Sequence, residues 1–576
     1  MSKKAIISVY YKDNLDKLIP YLENNYYQIY STGGTFTYIK NILKDTTKLI
    51  NISEYTNSPE ICNGRVKTLH PKIFGGLLGL KNNENHVKDL QSIDGIFFDL
   101  VVVNLYPFEE TIKNTNNESD IIEQIDIGGH SLIRASVKNY KYVTILTSSE
   151  DYQKFIDMNT KHNKNINLYF AKKAISSIMN YDIAINNWFY KNNFNNEDEN
   201  ENEDENNNED NNVLNSGDVI GRSYVVDSQL KYGLNPYMKP SYIFKNSSSS
   251  SNFENNNLFN ILNGKPGYTN LLDANNAIRL VLEIKYLLGK DCCTSFKHTS
   301  PAGVSICNNF NYSNIEGMKQ LNNENTEQKS FSVNECLFLN ARHIDPKSSF
   351  GDFIAYSGIV DVPMANRIKK YVSDGMIAFG YEPDALKILK EKKKGSYNII
   401  EQKKLINDLE FRDVNGFTLV QPSNNEYLTF DELIHCKMIN KLLLMKNDKF
   451  DLNILNDMTL GFITLKYTQS NSICFVYKGN VIGIGAGQQN RVDCVKLAGN
   501  KAMDWLERNN IDKNEVNLTL VSDAFFPFAD NIDVAHSFHT KYIAQPGGSI
   551  RDTDIEDACH KYNIAMIYTN KRVFTH

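Results

Sequence analysis

The stretch Phe98-Asp99-Leu100-Val101-Val102-Val103-Asn104-Leu105 indicates the fold most directly. Its four consecutive aliphatic residues leave no polar face, which is typical of a strand buried on both faces of a parallel sheet. Apolar runs at Ala5-Ile6-Ile7-Ser8-Val9, Gln28-Ile29-Tyr30-Ser31 and Tyr142-Val143-Thr144-Ile145-Leu146 predict further strands, and helical periods separate them. The first 190 residues are therefore predicted to form an α/β domain with a mostly parallel sheet.

The domain organisation follows from length and from one polar segment. A chain of 576 residues is too long for a single hydrophobic core. Asn, Asp and Glu make up all but two of residues 191–212, and such a segment buries too little apolar surface to order itself. We predict a first domain at 1–190, a disordered linker at 191–220 and a second α/β domain at 221–576. Further polar runs near 246–257 and 322–332 predict surface insertions.

Composition excludes several classes of protein. The apolar and charged fractions, 41% and 23%, are typical of a soluble globular protein. A net charge of -6 on this length favours neither a nucleic-acid partner nor a membrane surface. There is no long apolar run, and the start of the chain does not resemble a secretory signal, so we expect a cytosolic protein. The nine cysteines form no Cys-x-x-Cys pair, and we expect reduced thiols and no catalytic metal.

Two segments of the first domain suit a phosphate. Thr32-Gly33-Gly34-Thr35 follows a strand and opens a helix, where backbone N–H groups and the helix dipole attract anions. Gly64-Arg65-Val66-Lys67-Thr68 adds two cations and a hydroxyl. The alternatives are a simple strand-to-helix turn and a solvated basic loop.

A second pair of segments suits the rest of a ligand. Asn104 ends the buried strand, at the sheet edge where open α/β folds bind ligands. Asp126-Ile127-Gly128-Gly129 is another glycine pair ahead of a helix, with Lys138 about two turns further on. Taken singly, each has a structural explanation: a strand-end cap, a helix N-cap and a surface lysine.

In the second domain, Lys297-His298 is the pair best suited to proton transfer. A histidine titrates near neutral pH and can remove a proton from an amine, and an adjacent cation can favour its neutral form. A lone histidine is more often structural. Gly483-Ile484-Gly485-Ala486-Gly487 could suggest a dinucleotide site, but its spacing is wrong and it follows a hairpin-like turn rather than opening a βαβ unit.

Taken in order, these motifs resemble a known family. Ser31-Thr32-Gly33-Gly34-Thr35, Gly64-Arg65-Val66-Lys67-Thr68-Leu69-His70-Pro71, Asn104-Leu105-Tyr106-Pro107-Phe108 and Ile125-Asp126-Ile127-Gly128-Gly129 are similar to the inosine monophosphate cyclohydrolase domain of bifunctional purine biosynthesis enzymes, which has a methylglyoxal-synthase-like fold. The resemblance implies that Lys138 transfers a proton. It implies that the nucleotide contacts Lys12, Thr32, Gly33, Gly34, Thr35, Arg65, Val66, Lys67, Thr68, Asn104, Leu105, Asp126 and Ile127. Tyr10 and Tyr11 replace the family's small polar pair.

The second domain resembles the family's other half. Ser295-Phe296-Lys297-His298-Thr299-Ser300-Pro301-Ala302-Gly303 is similar to the signature of aminoimidazole carboxamide ribonucleotide formyltransferase, whose domain is built of cytidine-deaminase-like subdomains. The resemblance implies that His298 is the general base beside Lys297, that 10-formyltetrahydrofolate is the co-substrate and that the enzyme is a homodimer. It implies ribonucleotide contacts from Lys231, Tyr232, Gly351, Asp374, Asn471, Arg491, Phe525 and Arg572, and folate contacts from Asp530 and Ser549.

Some alternatives stay open from the sequence. Tyr10 and Tyr11 leave room for a monofunctional formyltransferase whose first domain only binds a regulatory nucleotide. A zinc nucleoside deaminase is disfavoured because its His-x-Glu and Cys-x-x-Cys patterns are missing from the sequence. Lys231 and Tyr237 stand where the family has arginine and histidine, so we expect His298 to carry more of the proton transfer.

Overall fold

The computed structural model describes residues 2–191, 219–246, 259–307, 331–405 and 409–576. The chain divides into two compact units, residues 1–227 with 244–253, and residues 228–243 with 254–576. Most of the predicted disordered linker, and most of the two polar insertions, lie outside the described residues.

The first unit is a five-stranded sheet covered by helices. Its strands are β1 (Lys3–Val9), β2 (Tyr27–Ser31), β3 (Leu49–Asn51), β4 (Leu100–Asn104) and β5 (Thr144–Leu146). Its helices are α1 (Leu15–Asn24), α2 (Gly33–Lys40), α3 (Ile52–Thr56), α4 (Pro71–Leu78), α5 (Glu84–Ser92), α6 (Phe108–Asn114), α7 (Glu118–Glu123), α8 (Ile127–Lys138), α9 (Asp151–Thr160) and α10 (Ile166–Lys191).

All five strands are parallel, in the order β3-β2-β1-β4-β5. Alternate residues of β4 enter different cores: Leu100 and Val102 pack on one face, and Val101 and Val103 on the other. Burial on both faces is what the run of aliphatic residues predicts. β1 lies between β2 and β4, so the chain order reverses beside it, and the carboxyl ends there leave room for a ligand.

The rest of the described chain, mainly the second unit, contains a twelve-stranded sheet and three two-stranded ribbons. Its strands are β6 (Tyr224–Leu230), β7 (Ser241–Asn246), β8 (Asn260–Asn263), β9 (Cys293–Lys297), β10 (Ser300–Ser305), β11 (Asp352–Val360), β12 (Ser373–Tyr381), β13 (Asn398–Glu401), β14 (Leu409–Val414), β15 (Phe417–Pro422), β16 (Met438–Ile439), β17 (Met445–Lys446), β18 (Lys449–Phe450), β19 (Ile473–Tyr477), β20 (Asn480–Gly485), β21 (Leu518–Ser522), β22 (Thr540–Gln545) and β23 (Ala565–Tyr568). β6 pairs with β7, and each of these strands has residues assigned to either unit.

Nine helices are described in the same unit. They are α11 (Tyr268–Leu288), α12 (Val333–Ile344), α13 (Val362–Lys369), α14 (Pro383–Lys390), α15 (Phe430–His435), α16 (Leu452–Lys466), α17 (Arg491–Arg508), α18 (Asp530–Ser537) and α19 (Asp552–Lys561).

The large sheet consists of two halves with the same topology. One half has the order β10-β9-β11-β12-β13-β8, and the other has the order β20-β19-β21-β22-β23-β16. Each half pairs a hairpin with a parallel three-stranded segment and ends in an antiparallel edge strand. β10 and β20 join the halves by antiparallel pairing, with Val304 opposite Val481. The second unit is therefore an internal structural repeat.

A buried ion pair links the two halves. Lys466 Nζ on α16 lies 2.7 Å from Glu283 Oε1 on α11, and the Tyr467 hydroxyl donates to Glu283 Oε2 at 2.7 Å. Both charged side chains are at most 3% exposed. Burial raises the pKa of Glu283 and lowers the pKa of Lys466, and their mutual attraction opposes both shifts. Each charge is compensated by the other inside the core, and Lys466 Nζ also donates to Glu426 O at 3.0 Å.

Replacing Lys466 with Met should destabilise the second unit by about 3–5 kcal/mol, because the Glu283 carboxylate is left buried and unpaired. The measurement is urea unfolding followed by Trp505 fluorescence in a Trp188→Phe background, since these are the only tryptophans. Lys387→Met, which removes an exposed ion pair with Asp384, is the control and should leave the midpoint nearly unchanged. Equal effects of the two substitutions would contradict the assignment.

Candidate active sites

A cleft of about 470 Å³ opens in the first unit, where β1, β2 and β4 end. Eleven of the residues predicted to hold the nucleotide line it: Lys12, Thr32, Gly33, Gly34, Thr35, Arg65, Lys67, Thr68, Asn104, Asp126 and Ile127. Segments from five separate parts of the sequence therefore meet in one place, as expected at the carboxyl edge of an open parallel sheet.

One end of the cleft suits an anion. Gly33 begins α2 with φ 50°, and Lys67 Nζ lies 3.7 Å from the position that a Cβ of Gly33 would occupy. Gly64, with φ 88°, leaves space that the Lys67 side chain fills: a Cβ there would be 2.8 Å from Lys67 Cε. The lysine ammonium thus lies at the amino end of a helix, and both favour negative charge.

Arg65, also at this end, is held by a carboxylate that the sequence analysis missed. Its Nε donates to Glu123 Oε2 at 3.1 Å, and a second guanidinium nitrogen bonds the same oxygen. The two side chains are 65% and 52% exposed. Glu123, the last residue of α7, lines the cleft. An anion that binds Arg65 through the same two nitrogens would have to displace Glu123.

The loop after β1 is fastened to the end of β4. Asn104 Oδ1 accepts the N–H groups of Tyr10 at 2.5 Å and Tyr11 at 3.1 Å, and Asn104 Nδ2 donates to Tyr11 O at 3.0 Å. Lys12 Nζ donates to Val9 O at 2.9 Å and to Tyr10 O at 2.6 Å, and burial lowers its pKa. The contacts made by Tyr10 and Tyr11 here use only their backbone atoms, so they do not depend on which side chains stand at these two positions.

The second glycine pair forms the opposite wall. Asp126 caps α8 by accepting the Gly129 N–H at 2.6 Å, and burial raises the pKa of its carboxyl group. A Cβ on Gly128 would lie 3.2 Å from Thr68 Oγ1, so the basic loop and the glycine pair nearly touch. The wall combines helix N–H groups, a hydroxyl and a carboxyl group.

Three predicted residues of this unit do not line the cleft. Val66 bridges Ile61, and Leu105 packs against the core. Lys138 is exposed at the last position of α8, about 16 Å along the helix axis from Ile127 in the cleft. Proton transfer by Lys138 stays a prediction.

The cleft also contains residues that the sequence analysis did not select. They are Ser8, Val9, Tyr10, Asn63, Gly64, Tyr106, Ile122, Glu123, Ile125, Gly128 and Gly129. Tyr10 and Tyr106 pack edge to face, with ring centroids 5.7 Å apart. Gly64, Tyr106, Ile125, Gly128 and Gly129 lie within the motifs quoted above. No local signal identifies Glu123, because α7 reaches the cleft only in the folded unit.

In the second unit, Lys297 and His298 lie at the tip of the β9–β10 hairpin. Lys297 Nζ donates to Phe350 O at 2.7 Å, next to Gly351. The Gly351 N–H donates to Val372 O at 3.2 Å, two residues before Asp374. Asp374 forms a 2.9 Å ion pair with Lys393. The structure thus brings together four residues that were predicted to act on the ribonucleotide.

The other half of the sheet contributes a second group of predicted residues. Arg491 donates to Asn471 Oδ1 at 2.8 Å and to Ser522 Oγ at 2.9 Å, and it pairs with the Asp523 carboxylate. Since Arg491 is buried and paired, its charge holds Asn471 and the end of β21 in place.

Phe525 and Arg572 lie close to this group. The Val573 N–H donates to Asp523 O at 2.9 Å, which brings Arg572 to the end of β21. Phe525, two residues beyond Asp523, is 42% exposed. The Gln469 N–H donates to Ser300 Oγ at 3.4 Å, which connects this region to the His298 hairpin.

The predicted folate residues lie near each other. Asp530 begins α18, and Ser549 precedes α19. The Arg551 guanidinium is 5.0 Å from the centroid of the Phe528 ring, which brings their two loops into contact. Lys231 lies 5.9 Å from the Tyr232 ring centroid. No hydrogen bond or ion pair among the described residues joins Lys231 or Tyr232 to the His298 region.

The described residues contain no group of three or more His, Cys, Asp or Glu side chains that could hold a metal ion. Within the same ranges, none of the helices is both long enough and apolar enough to cross a membrane.

The first unit is an α/β domain with a cleft that suits an anion, and the second is an α/β domain with a candidate proton-transfer pair, which together are typical of an enzyme with two sites. A family model described as AICARFT/IMPCHase bienzyme matches residues 136–501, and one described as MGS-like domain matches residues 14–131. The chain belongs to the AICARFT/IMPCHase bienzyme family.

Curated relatives align with the whole chain and over their own full lengths. Three of them are called "Bifunctional purine biosynthesis protein PurH". That of Caldicellulosiruptor saccharolyticus is 34% identical over 587 residues, that of Prochlorococcus marinus subsp. pastoris is 34% identical over 595, and that of Clostridium botulinum is 31% identical over 582.

These matches confirm several predictions. They confirm the family, the fold class of each half and a bifunctional enzyme of purine biosynthesis, formyltransferase and cyclohydrolase, with 10-formyltetrahydrofolate as co-substrate. They favour the bifunctional enzyme over a formyltransferase with a merely regulatory first domain.

Replacing Glu123 with Gln should lower KM for the cyclohydrolase substrate by about two- to fivefold, because Arg65 loses the carboxylate that competes with a phosphate. We expect kcat to change little, and the gain to shrink at high salt. Initial-rate kinetics at two ionic strengths would test this. A raised KM would mean that Glu123 binds the substrate directly.

Proposed function

We propose that this chain performs the last two steps of inosine monophosphate synthesis, each at its own site. The observation that carries the proposal is the Lys297-His298 pair at a tight hairpin tip. The pair lies within the match to the bienzyme family model at residues 136–501, in a chain that aligns with its curated relatives over its whole length. The first step transfers a formyl group from 10-formyltetrahydrofolate to the amine of aminoimidazole carboxamide ribonucleotide. The second closes the ring with loss of water.

Formyl transfer needs a base for the amine. His298 is exposed at the hairpin tip, where it can accept a proton as the amine nitrogen bonds to the formyl carbon. The bond from that carbon to the folate nitrogen then breaks, and the folate leaves with a proton. The Lys297 ammonium, fixed by Phe350 O, can stabilise negative charge on the formyl oxygen. Phe525 provides a partly exposed aromatic surface for a flat ring.

Ring closure places different demands on the first unit. The carboxamide nitrogen attacks the formyl carbon of the same molecule, so orientation supplies much of the rate. Lys67 and the amino end of α2 hold the phosphate end of the nucleotide. The buried carboxyl group of Asp126 and the N–H groups of the glycine pair face the reacting end. The Gly128 N–H can stabilise the oxyanion, since the Gly129 N–H already donates to Asp126, and Asp126 can exchange a proton as water leaves.

The proposal includes a homodimer. The β14–β15 ribbon exposes a set of large apolar side chains: Leu409, Phe417, Leu419 and Val420. A two-stranded ribbon is only marginally stable by itself in water, so an apolar partner surface would stabilise it. A second copy of the chain would also let Lys231 and Tyr232 reach the His298 region, to which no hydrogen bond or ion pair among the described residues joins them within one protomer.

Three further predictions complete the proposal. The two activities are divided by the polar segment at residues 191–220. The enzyme is cytosolic, and its partners are small-molecule substrates, without nucleic acid or membrane.

Replacing His298 with Ala should reduce formyl transfer by at least about 100-fold, because the general base is lost, and should leave ring closure unchanged. A coupled assay with the ribonucleotide and formyl folate, scoring both products, measures this. Separate addition of the formylated intermediate provides the internal control. Loss of both activities in a folded variant would contradict two separate sites.

Lys67→Met is the converse substitution. It should raise KM for ring closure by at least about tenfold, since a phosphate contact with a point charge is lost. Formyl transfer should stay within about twofold of the wild type. If instead formyl transfer fell and ring closure did not, the assignment of the cleft would be wrong.

A further inference from the structure

The His298 hairpin has an unusual backbone. Lys297 pairs with Ser300, so the loop consists of His298 and Thr299 alone. Both have positive φ, 53° and 58°, as a type I′ turn requires. Asn and Gly usually occupy such turns, and a β-branched residue at positive φ is strained. The turn that presents the proposed base therefore needs support from outside the hairpin.

Asp273 of α11 supplies a contact to this turn. Its Oδ1 accepts the Thr299 N–H at 2.7 Å. Burial raises the pKa of Asp273, while the N–H groups of Thr299 and His298 and the His298 imidazole lower it. Asp374, across the site, is the other charged group that acts on Asp273. Asp273 is thus fixed at the base of the turn, between the helix and the reacting groups.

The other half of the internal repeat contains the same contact between a helix aspartate and a hairpin turn, but its turn has no histidine. Asp457 is the sixth residue of α16, as Asp273 is of α11. It accepts the Gly479 N–H at 2.8 Å, in the two-residue loop Lys478–Gly479 between β19 and β20. Both loop residues again have positive φ. Here the second position is glycine, which adopts this conformation without strain. The helix-to-hairpin contact is therefore a feature of the fold, and the first copy applies it to a strained turn.

We propose that Asp273 is a positioning residue for formyl transfer: by accepting the Thr299 N–H, it holds the His298–Thr299 turn in the conformation that presents the imidazole to the substrate amine. This inference rests on the proposed role of His298. Asp273 needs no contact with the substrate. It acts on kcat, because displacement of a base by about 1 Å can cost on the order of 100-fold in rate.

The test compares two substitutions of Asp273 in the full-length enzyme. Asp273→Ala removes the acceptor and should lower kcat for formyl transfer by about 10- to 100-fold with little change in KM. Asp273→Asn keeps a side-chain oxygen for the Thr299 N–H and should retain kcat within about threefold. Ring closure, measured in the same samples, should be unaffected by either.

A second substitution distinguishes positioning from other causes. Thr299→Gly copies Gly479 and relieves the strain of the turn, so it should restore at least about tenfold of the kcat lost in Asp273→Ala. By itself, Thr299→Gly should keep kcat for formyl transfer within about threefold of the wild type. Asp457→Asn is the matched control in the other hairpin. Burial raises the pKa of Asp457 to about 7. The Asp457→Asn variant should keep kcat for formyl transfer within twofold of the wild type.

Several results would overturn the inference: kcat of Asp273→Ala within twofold of the wild type, Asp273→Asn as impaired as Asp273→Ala, or no recovery on adding Thr299→Gly. An equal loss of ring closure would show general damage to the fold and would overturn it as well. Failure of the proposed function is distinguishable, because the wild type itself would then show no formyl transfer.

Discussion

The antiparallel pairing of β10 with β20 is the contact on which the second unit depends. Val304 lies opposite Val481 and Ser305 opposite Asn480, and the Ser305 hydroxyl donates to Asn480 Oδ1 at 2.7 Å in a buried position. Because the strands run in opposite directions, the start of β10 meets the end of β20. The His298 tip therefore lies at the edge where β20 and β21 end. One hydrogen-bonded pair of strands thus determines which residues of the two halves can share a site.

The same pairing explains why the two halves contribute differently. Gly351 and Asp374 lie at the amino ends of β11 and β12, whereas Phe525 follows the carboxyl end of β21. In a repeat joined by antiparallel strands, the amino ends of one half and the carboxyl ends of the other meet at one edge. The copies can then diverge: His298 occupies the turn position that Lys478 has in the other hairpin, and Thr299 the position of Gly479.

The first unit also brings residues from distant parts of the sequence to one edge of a sheet, but its described residues contain no repeat. Its parallel strands all end at one edge, and glycine turns bring Lys67 to the amino end of α2. The cleft combines a cationic end with a wall made from a buried carboxyl group and helix N–H groups. Glu123 on Arg65 offsets part of the positive charge. Electrostatic selectivity there depends on a few side chains on short helices and loops, supported by a fully buried sheet.

Much of the fold and of the first candidate site could be predicted from the sequence, because the relevant signals are local. The aliphatic run at residues 100–103 predicts a doubly buried strand, and the glycine pairs predict helix starts that can bind anions. Eleven of the thirteen residues expected to contact the cyclohydrolase nucleotide line one cleft. They were predictable because their motifs specify local backbone turns that can be recognised wherever they occur in a sequence. The Glu123 and Asp273 contacts were not predictable, since each depends on how elements separated in sequence pack, whereas the distance of Lys138 from Ile127 follows from the length of one helix. By itself, the sequence determined the element types, the chemistry of the motifs and the family. Only the tertiary structure decided which ends of the strands share an edge, because strand pairing between residues more than 170 positions apart has no local signal.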